Sequence, residues 1–254
     1  MNPQAELISI GNELLSGQTL NTHARDLGAA LAEMGLPLVR DTTIPDDIST
    51  IGHAVETAFD RVPIVFVSGG LGPTVDDITR DALAVLLHRK IIPDTATLAK
   101  LSGWYEARGR VMTAAGERQA LVLEGAAVLS NSVGAAPGQR IAWSADQTLF
   151  ILPGPPNEFK AILTEEIMQW LREHFPLVRP KAVETLCTRG IGESDIVTLL
   201  EAAAFQPESV EMGFYPGNGR VLIRVSAEST HKRDVVAVAK ILRGLLVDFL
   251  DPID

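Results

Sequence analysis

Ten consecutive residues concentrate the chemistry of this chain: Ser68-Gly69-Gly70-Leu71-Gly72-Pro73-Thr74-Val75-Asp76-Asp77. They follow Pro63-Ile64-Val65-Phe66-Val67, an apolar run that reads as a strand covered on both faces. A helix is expected from Thr74 to about His88. Glycines between a strand and a helix let the backbone approach a ligand, and N–H groups at a helix start favour an anion. The pattern is neither a P-loop nor a dinucleotide fingerprint, because the Gly-Lys-Ser/Thr ending and the second glycine spacing are missing. Asp76 and Asp77 fall in the first turn of the expected helix, and two readings stay open for them. Thr74-Val75-Asp76-Asp77 fits a capping box, and acidic residues suit a helix N-terminus anyway. Alternatively, one or both carboxylates hold a divalent metal such as Mg²⁺, shared with substrate phosphates, or activate water.

Three further segments sit where strands are expected to end. They are Gly11-Asn12-Glu13-Leu14-Leu15-Ser16-Gly17-Gln18, Val133-Gly134-Ala135-Ala136-Pro137-Gly138 and Leu152-Pro153-Gly154-Pro155-Pro156-Asn157-Glu158. Each alone fits turn chemistry. Their shared placement argues for one pocket at the carboxyl ends of the strands. Its candidate substrate-binding residues are Gly11, Asn12, Glu13, Ser68, Gly69, Gly70, Gly72, Thr74, Gly134, Pro137, Gly138, Pro153, Gly154, Pro155 and Glu158. Glu158 either caps its helix or orients a ligand. Arg25, Arg80 and Arg118 either pair with phosphate or are ordinary solvated helix charges. His23, His53, His88, His174 and His231 show no metal-ligand spacing and read as surface or helix-packing residues. No Gly-x-Ser-x-Gly elbow supports Ser/His/Asp catalysis.

The elements that must position these groups alternate. Leu7–Ile10, Leu38–Ile44 and 63–67 read as strands; helices are expected with Leu20, Leu27, Leu31 and Met34 on one face, then with Ile48, Ile51, Val55 and Phe59. Residues 94–120 read as helical, with Trp104 and Tyr105 as core anchors. Strands follow at 127–129, 139–144 and 148–152, then one amphipathic helix over 158–175. This order predicts a three-layer α/β/α fold with a mostly parallel sheet over residues 1–175. Pro176 to Pro180 reads as a linker. Beyond it, 181–254 reads as a small α+β module: strand 183–188, helix 193–204, a hairpin over 210–226 turning at Asn218-Gly219, and a long helix over 232–250.

The 254 residues are 46% apolar, enough for a sizeable core, and carry a formal net charge of −10. That charge argues against nucleic-acid or membrane-surface partners, both polyanionic, but leaves room for a small anion bound by backbone N–H groups. Cys187 is the one cysteine, so an intrachain disulfide or thiolate metal cage is excluded. The N-terminus lacks a signal-peptide pattern, and no apolar run approaches the ~20 residues of a membrane span, so a cytoplasmic protein is expected.

Residues 68–77, 133–138 and 152–158 together resemble the signature motifs of the molybdopterin-binding domain of MogA- and MoaB-type proteins. With Gly190-Ile191-Gly192-Glu193-Ser194, they are most similar to the CinA branch (competence/damage-inducible protein A). The resemblance implies that Asp46, in Ile44-Pro45-Asp46, and Asp77 are the functional aspartates of one pocket. It implies metal-dependent hydrolysis of a nucleotide diphosphate such as ADP-ribose, releasing AMP. Two alternatives are a molybdopterin-binding or adenylyl-transferring protein of molybdenum cofactor synthesis and a non-catalytic nucleotide-binding protein. It also implies a homo-oligomer, a dimer by preference, and a KH-like second module. RNA binding by that module is not expected, because Gly190 and Gly192 are one residue too close for a Gly-x-x-Gly clamp. Asn12 stands where CinA sequences typically carry Thr. The sequence ends at Asp254, without the nicotinamide-nucleotide amidase domain that often follows in CinA proteins, so deamidation is not expected.

Overall fold

Strand β1, Ala5–Ile10, is buried along its whole length in the first of two compact units, Met1–Val178 and Arg179–Asp254. The structure is a computed structural model, described here for residues 3–176 and 180–251. Four strands run parallel: β1, β2 (Leu38–Ile44), β3 (Ile64–Ser68) and β8 (Thr148–Leu152). Strands β6 (Ala127–Leu129) and β7 (Gly138–Ala142) extend the sheet antiparallel, in the order β2-β1-β3-β8-β7-β6.

Alternate strand residues feed two separate cores, which is why these strands are apolar throughout rather than alternating. On one face Ile8, Ile10, Val65, Val67, Leu149 and Ile151 pack with helix α3 (Ile48–Phe59) and helix α4 (Thr79–Leu87). A single turn, α1 (Asn12–Leu15), follows β1. On the other face, Leu7, Ile64, Phe66, Phe150 and Leu152 pack with helix α2 (His23–Met34) and with helices α7 (Pro156–Ile162) and α8 (Met168–His174). Phe66 and Phe150 stack at 5.0 Å between centroids. The expected three layers are therefore present. One buried charge interrupts the apolar set: Glu6 of β1 receives both ends of the Arg61 guanidinium, at 2.7 and 2.6 Å.

Several boundaries differ from expectation. The helix expected from Thr74 starts at Thr79, so Asp76 and Asp77 precede it. The single helix expected over 158–175 is α7, a wide π turn at Leu163–Ile167, and α8. The Thr164 hydroxyl turns back onto the Lys160 carbonyl there, competing with the regular ladder. Residues 94–120 hold two helices, α5 (Thr95–Glu106) and α6 (Ala114–Arg118), capped by Asp94 and Thr113. Trp104 and Tyr105 are half-buried rather than core anchors; the Lys100 ammonium covers the Trp104 ring at 4.4 Å. Two three-residue strands, β4 (Ile91–Pro93) and β5 (Leu121–Leu123), form a small separate sheet that the sequence reading missed.

The second unit has its own core. Strands β9 (Ala182–Arg189), β10 (Glu211–Gly217), β11 (Arg220–Ala227) and β12 (Leu250–Asp251) form an antiparallel sheet in the order β10-β11-β9-β12. Helices α9 (Glu193–Ala202) and α10 (Lys232–Leu245) cover Leu186, Val221, Ile223 and Val225. The hairpin turns at Asn218-Gly219, both at positive φ, as expected. Cys187 is a buried strand residue. The expected linker centres on residues 177–179, which lie outside the described residues, as do 252–254.

Candidate functional site

A cleft of about 410 Å³ opens at the carboxyl ends of β1, β3 and β8. The β3–α4 loop forms its floor. Gly69 and Gly70 take φ of +107° and +66°, and a Cβ at Gly69 would strike the Ile10 carbonyl oxygen, so only glycine fits. Thr79, the first residue of α4, organises the turn. Its hydroxyl donates to the Gly69 carbonyl at 2.8 Å and its N–H to the Gly70 carbonyl at 3.3 Å. In a trans peptide the C=O and N–H point in opposite directions. Drawing these two carbonyls towards α4 therefore turns the Gly70 and Leu71 N–H groups away from it. Both residues line the cleft, and neither N–H has a partner among the described residues.

Two side chains brace the rest of the loop. Asp77 accepts from the Gly72 N–H at 2.7 Å, the Thr74 N–H at 2.8 Å and the Thr74 hydroxyl at 2.5 Å. This is half of the expected capping box, but it closes a loop two residues ahead of the helix instead of capping it. The Arg80 guanidinium is buried and donates to the Leu71 and Gly72 carbonyls at 2.8 and 3.1 Å. Burial lowers the Arg80 pKa, while Asp77 and Asp81 oppose the shift. Arg80 is thus a strut, neither a phosphate ligand nor a solvated charge. Arg25 is exposed and paired with Asp26, and Arg118 lines a separate hollow with Pro93 and Met112.

Asp46 reaches the same cleft from the end of β2. Its neighbour Asp47 caps α3, which leaves Asp46 free to accept the Asn12 N–H at 2.9 Å with one oxygen. The other oxygen has no partner among the described residues. The cleft also brings together Gly11, Glu13, Ser68, Gly69, Gly70, Gly72, Thr74, Asp76, Asp77, Pro153, Gly154, Pro155 and Glu158. Asn12, Gly134, Pro137 and Gly138 are not in its lining. Gly138 lies inside the sheet, where a Cβ would press on Ile162, Leu129 and Leu152, and Pro137 is buried beside it. Gly134 backs onto the Glu158 side chain. Asn12 contributes its backbone N–H to Asp46.

Other residues of the site gave no sequence signal. His23 is buried, its Nδ1 3.0 Å from the Ser68 hydroxyl and its ring stacked on Phe159 at 4.3 Å. Burial lowers its pKa, against a raising contribution from the Gly154 backbone. Asn21 ties the start of α2 to the sheet through the Ser9 hydroxyl, at 2.9 Å. Behind the cleft, buried Asn131 donates to Glu158 at 2.6 Å.

The lining carries five carboxylates, of Glu13, Asp46, Asp76, Asp77 and Glu158, and no Lys or Arg among the described residues. A phosphate resting on the Gly70 and Leu71 amides would face uncompensated negative charge, so this donor set suits an oxygen-seeking divalent cation arriving with the ligand. No group of three or more His, Cys, Asp or Glu placed to hold a metal occurs among the described residues. The phosphates themselves would have to complete the coordination. Asp77 is largely occupied by its three donors. Asp46 keeps one unpartnered oxygen and Glu13 keeps both of its own, so these two have the greatest remaining capacity among the described residues. The Thr74 hydroxyl beside Asp76 holds that carboxyl below its ordinary pKa, keeping it ionised.

A mostly parallel sheet between two helical layers, with a glycine loop at its carboxyl edge, defines an α/β small-ligand-binding domain. Residues 6–173 match the family model described as a probable molybdopterin binding domain, and the chain belongs to that family. It is 36% identical over 253 residues to a CinA-like protein of Deinococcus radiodurans, covering 98% of this chain and 60% of that protein. It is 35% identical over 232 residues to a putative competence-damage inducible protein of Streptococcus suis, covering 91% of this chain and 58% of that protein. The chain thus spans about three-fifths of these relatives' length. Among solved structures, a CinA protein of unknown function from Thermoplasma acidophilum superimposes with a TM-score of 0.59 at 31% identity, over 68% of this chain and 98% of that one. Among the described residues, no helix is long and apolar enough to cross a membrane.

Proposed function

We propose that the cleft binds a phosphorylated pterin or nucleotide, with the phosphate on the Gly70 and Leu71 amides. The observation that carries this reading is the pair of unpartnered N–H groups, turned away from α4 by the hold of Thr79 on the two preceding carbonyls. Membership of the molybdopterin-binding domain family favours the pterin phosphate as ligand. Asp77 and Arg80 act on the loop, fixing the amides before the ligand arrives, and so lower the ordering cost of binding. A divalent cation bound with the ligand would neutralise phosphate charge, with Asp46 and Glu13 as the protein carboxylates open to it.

A second reading is phosphoanhydride hydrolysis, of ADP-ribose to AMP or of a related dinucleotide. The free oxygen of Asp46 favours it, since a carboxylate with open lone-pair capacity at the cleft can hold and orient a water. One experiment separates the two. Purified protein is incubated with ADP-ribose and with FAD in the presence of Mg²⁺, Mn²⁺ or Co²⁺, and AMP is assayed beside equilibrium binding of a pterin phosphate. Metal-dependent AMP release that is lost in Asp46→Ala supports hydrolysis. Pterin phosphate binding with no AMP under any metal supports the binding function and removes the hydrolase.

A further inference from the structure

Among the described residues, His23 is the one side chain of the cleft lining that can become a cation. Its buried ring stacks flat on Phe159 of α7, with 4.3 Å between centroids and 9° between planes. An aromatic face beneath an imidazole tolerates its charged form. Nδ1 lies 3.0 Å from the Ser68 hydroxyl oxygen, which in turn lies 3.2 Å from the Pro153 carbonyl oxygen. Two charge states fit this arrangement without moving a heavy atom. In the neutral ring Nδ1 accepts the Ser68 proton. In the imidazolium Nδ1 donates to the Ser68 oxygen, and the hydroxyl turns its own proton onto Pro153. The ring's contacts, Ser68 and the Gly154 backbone, belong to two loops that meet at the cleft floor. There the Gly69 N–H donates to the Leu152 carbonyl at 3.1 Å, and a Cβ at Gly154 would lie 3.5 Å from Gly69 Cα.

The charges around the ring leave it neutral but close to ionising. Burial disfavours the imidazolium, while the Gly154 backbone and Asp26, one turn along α2, favour it. Asp26 is itself met by Arg25 and by Lys160 of α7. Strands β3 and β8 offer the ring the Ser68 hydroxyl and backbone carbonyls, and the carboxylates of Glu13, Asp46, Asp76, Asp77 and Glu158 line the same cleft. A further negative charge brought close to such a histidine favours its protonated form. We infer that the phosphate enters with a proton: as it seats on the Gly70 and Leu71 amides, His23 takes a proton from solvent, and its imidazolium supplies the positive charge that no Lys or Arg of the lining provides. The proton returns to solvent on release. This inference rests on the reading of the cleft as a phosphorylated-ligand site.

The test follows the histidine Cε1–H resonances of the whole chain against pH, free and saturated with pyrophosphate and Mg²⁺. The His23 signal is assigned by its contact with the Phe159 ring. The inference predicts that its midpoint rises by about 1 pH unit on saturation, while those of His53, His88, His174 and His231, which lie outside the lining, stay in place. The matching calorimetric result is that wild-type affinity for pyrophosphate, relative to His23→Gln, grows about tenfold as pH falls from about 7.5 to 5.5. The comparison with the variant cancels the ionisation of pyrophosphate itself. A His23 midpoint unmoved by bound pyrophosphate overturns the inference and leaves the phosphate site standing. So does an affinity ratio between wild type and His23→Gln that is constant with pH, as an uncharged strut would give. Should His23→Gln fail to fold, the wild-type resonance decides alone. Failure of pyrophosphate to bind at any pH removes the site reading, and the inference with it.

Discussion

Asp77 spends its carboxylate on the backbone of its own loop, so its loss should act on binding through geometry. Asp77→Ala removes three acceptor contacts and is expected to destabilise the first unit by about 1–3 kcal/mol and to weaken phosphate binding. Chemical denaturation and pyrophosphate titration of the same variant check both. Thr79→Val keeps the shape but loses the hydroxyl that holds the Gly69 carbonyl. It should weaken pyrophosphate binding several-fold, at a stability cost of about 1 kcal/mol; unaltered affinity would count against the amide-aiming role. His23 gives a pH signature. Burial lowers its pKa from 6.5, so just below 6.5 the unfolded chain binds the proton that the folded chain refuses. Its contribution makes stability level above that pH and falling below it, and His23→Gln should flatten the fall. Urea midpoints between about pH 5 and pH 7.5 test this. The glycine loop and its aspartates were legible because glycine spacing after a buried strand has few other uses. Thr79, Arg80, Asn131 and His23 were not: a threonine or arginine in a helix and a lone histidine have ordinary roles until tertiary contacts show which backbone groups they touch.

At the scale of elements, most strands and helices were readable from periodicity, and the misses have physical causes. The start of α4 moved to Thr79 because Asp77 turned its carboxylate back onto Gly72 and Thr74, a local loop that outcompetes a helical turn. The π turn at Leu163–Ile167 is invisible to a pattern of apolar residues, since those around it still face the core. Strands β4 and β5 have three residues each, too short for alternation to register. Glu6 falls just before the strand expected over Leu7–Ile10, yet it is a buried strand residue whose charge is met by Arg61 from beyond α3. Arg61→Ala leaves that carboxylate poorly compensated and should cost about 2–3 kcal/mol, less than a fully buried pair because Arg61 is itself partly exposed. The midpoint of guanidinium unfolding reports it; a change within error would mean that Arg40, 3.8 Å from Glu6, takes over the pairing.

The whole molecule is two units with separate cores, and every residue lining the cleft belongs to the first. Ile223→Ala, in the fully buried centre of the second sheet, should lower the stability of that unit by about 3 kcal/mol and leave pyrophosphate affinity unchanged. Hydrogen exchange resolved by unit, beside the titration, checks both parts. The layered architecture was legible from the order of elements and the change of pattern after Pro176, whereas ligand identity was not, because backbone amides carry no side-chain signal. The central claim is that the Gly70 and Leu71 amides receive a phosphate. It is tested most directly by following backbone amide resonances during titration with pyrophosphate and Mg²⁺. Saturable downfield shifts of the Gly70 and Leu71 N–H signals, attenuated in Thr79→Val, are the predicted result; saturable binding that leaves those two signals unmoved would contradict it.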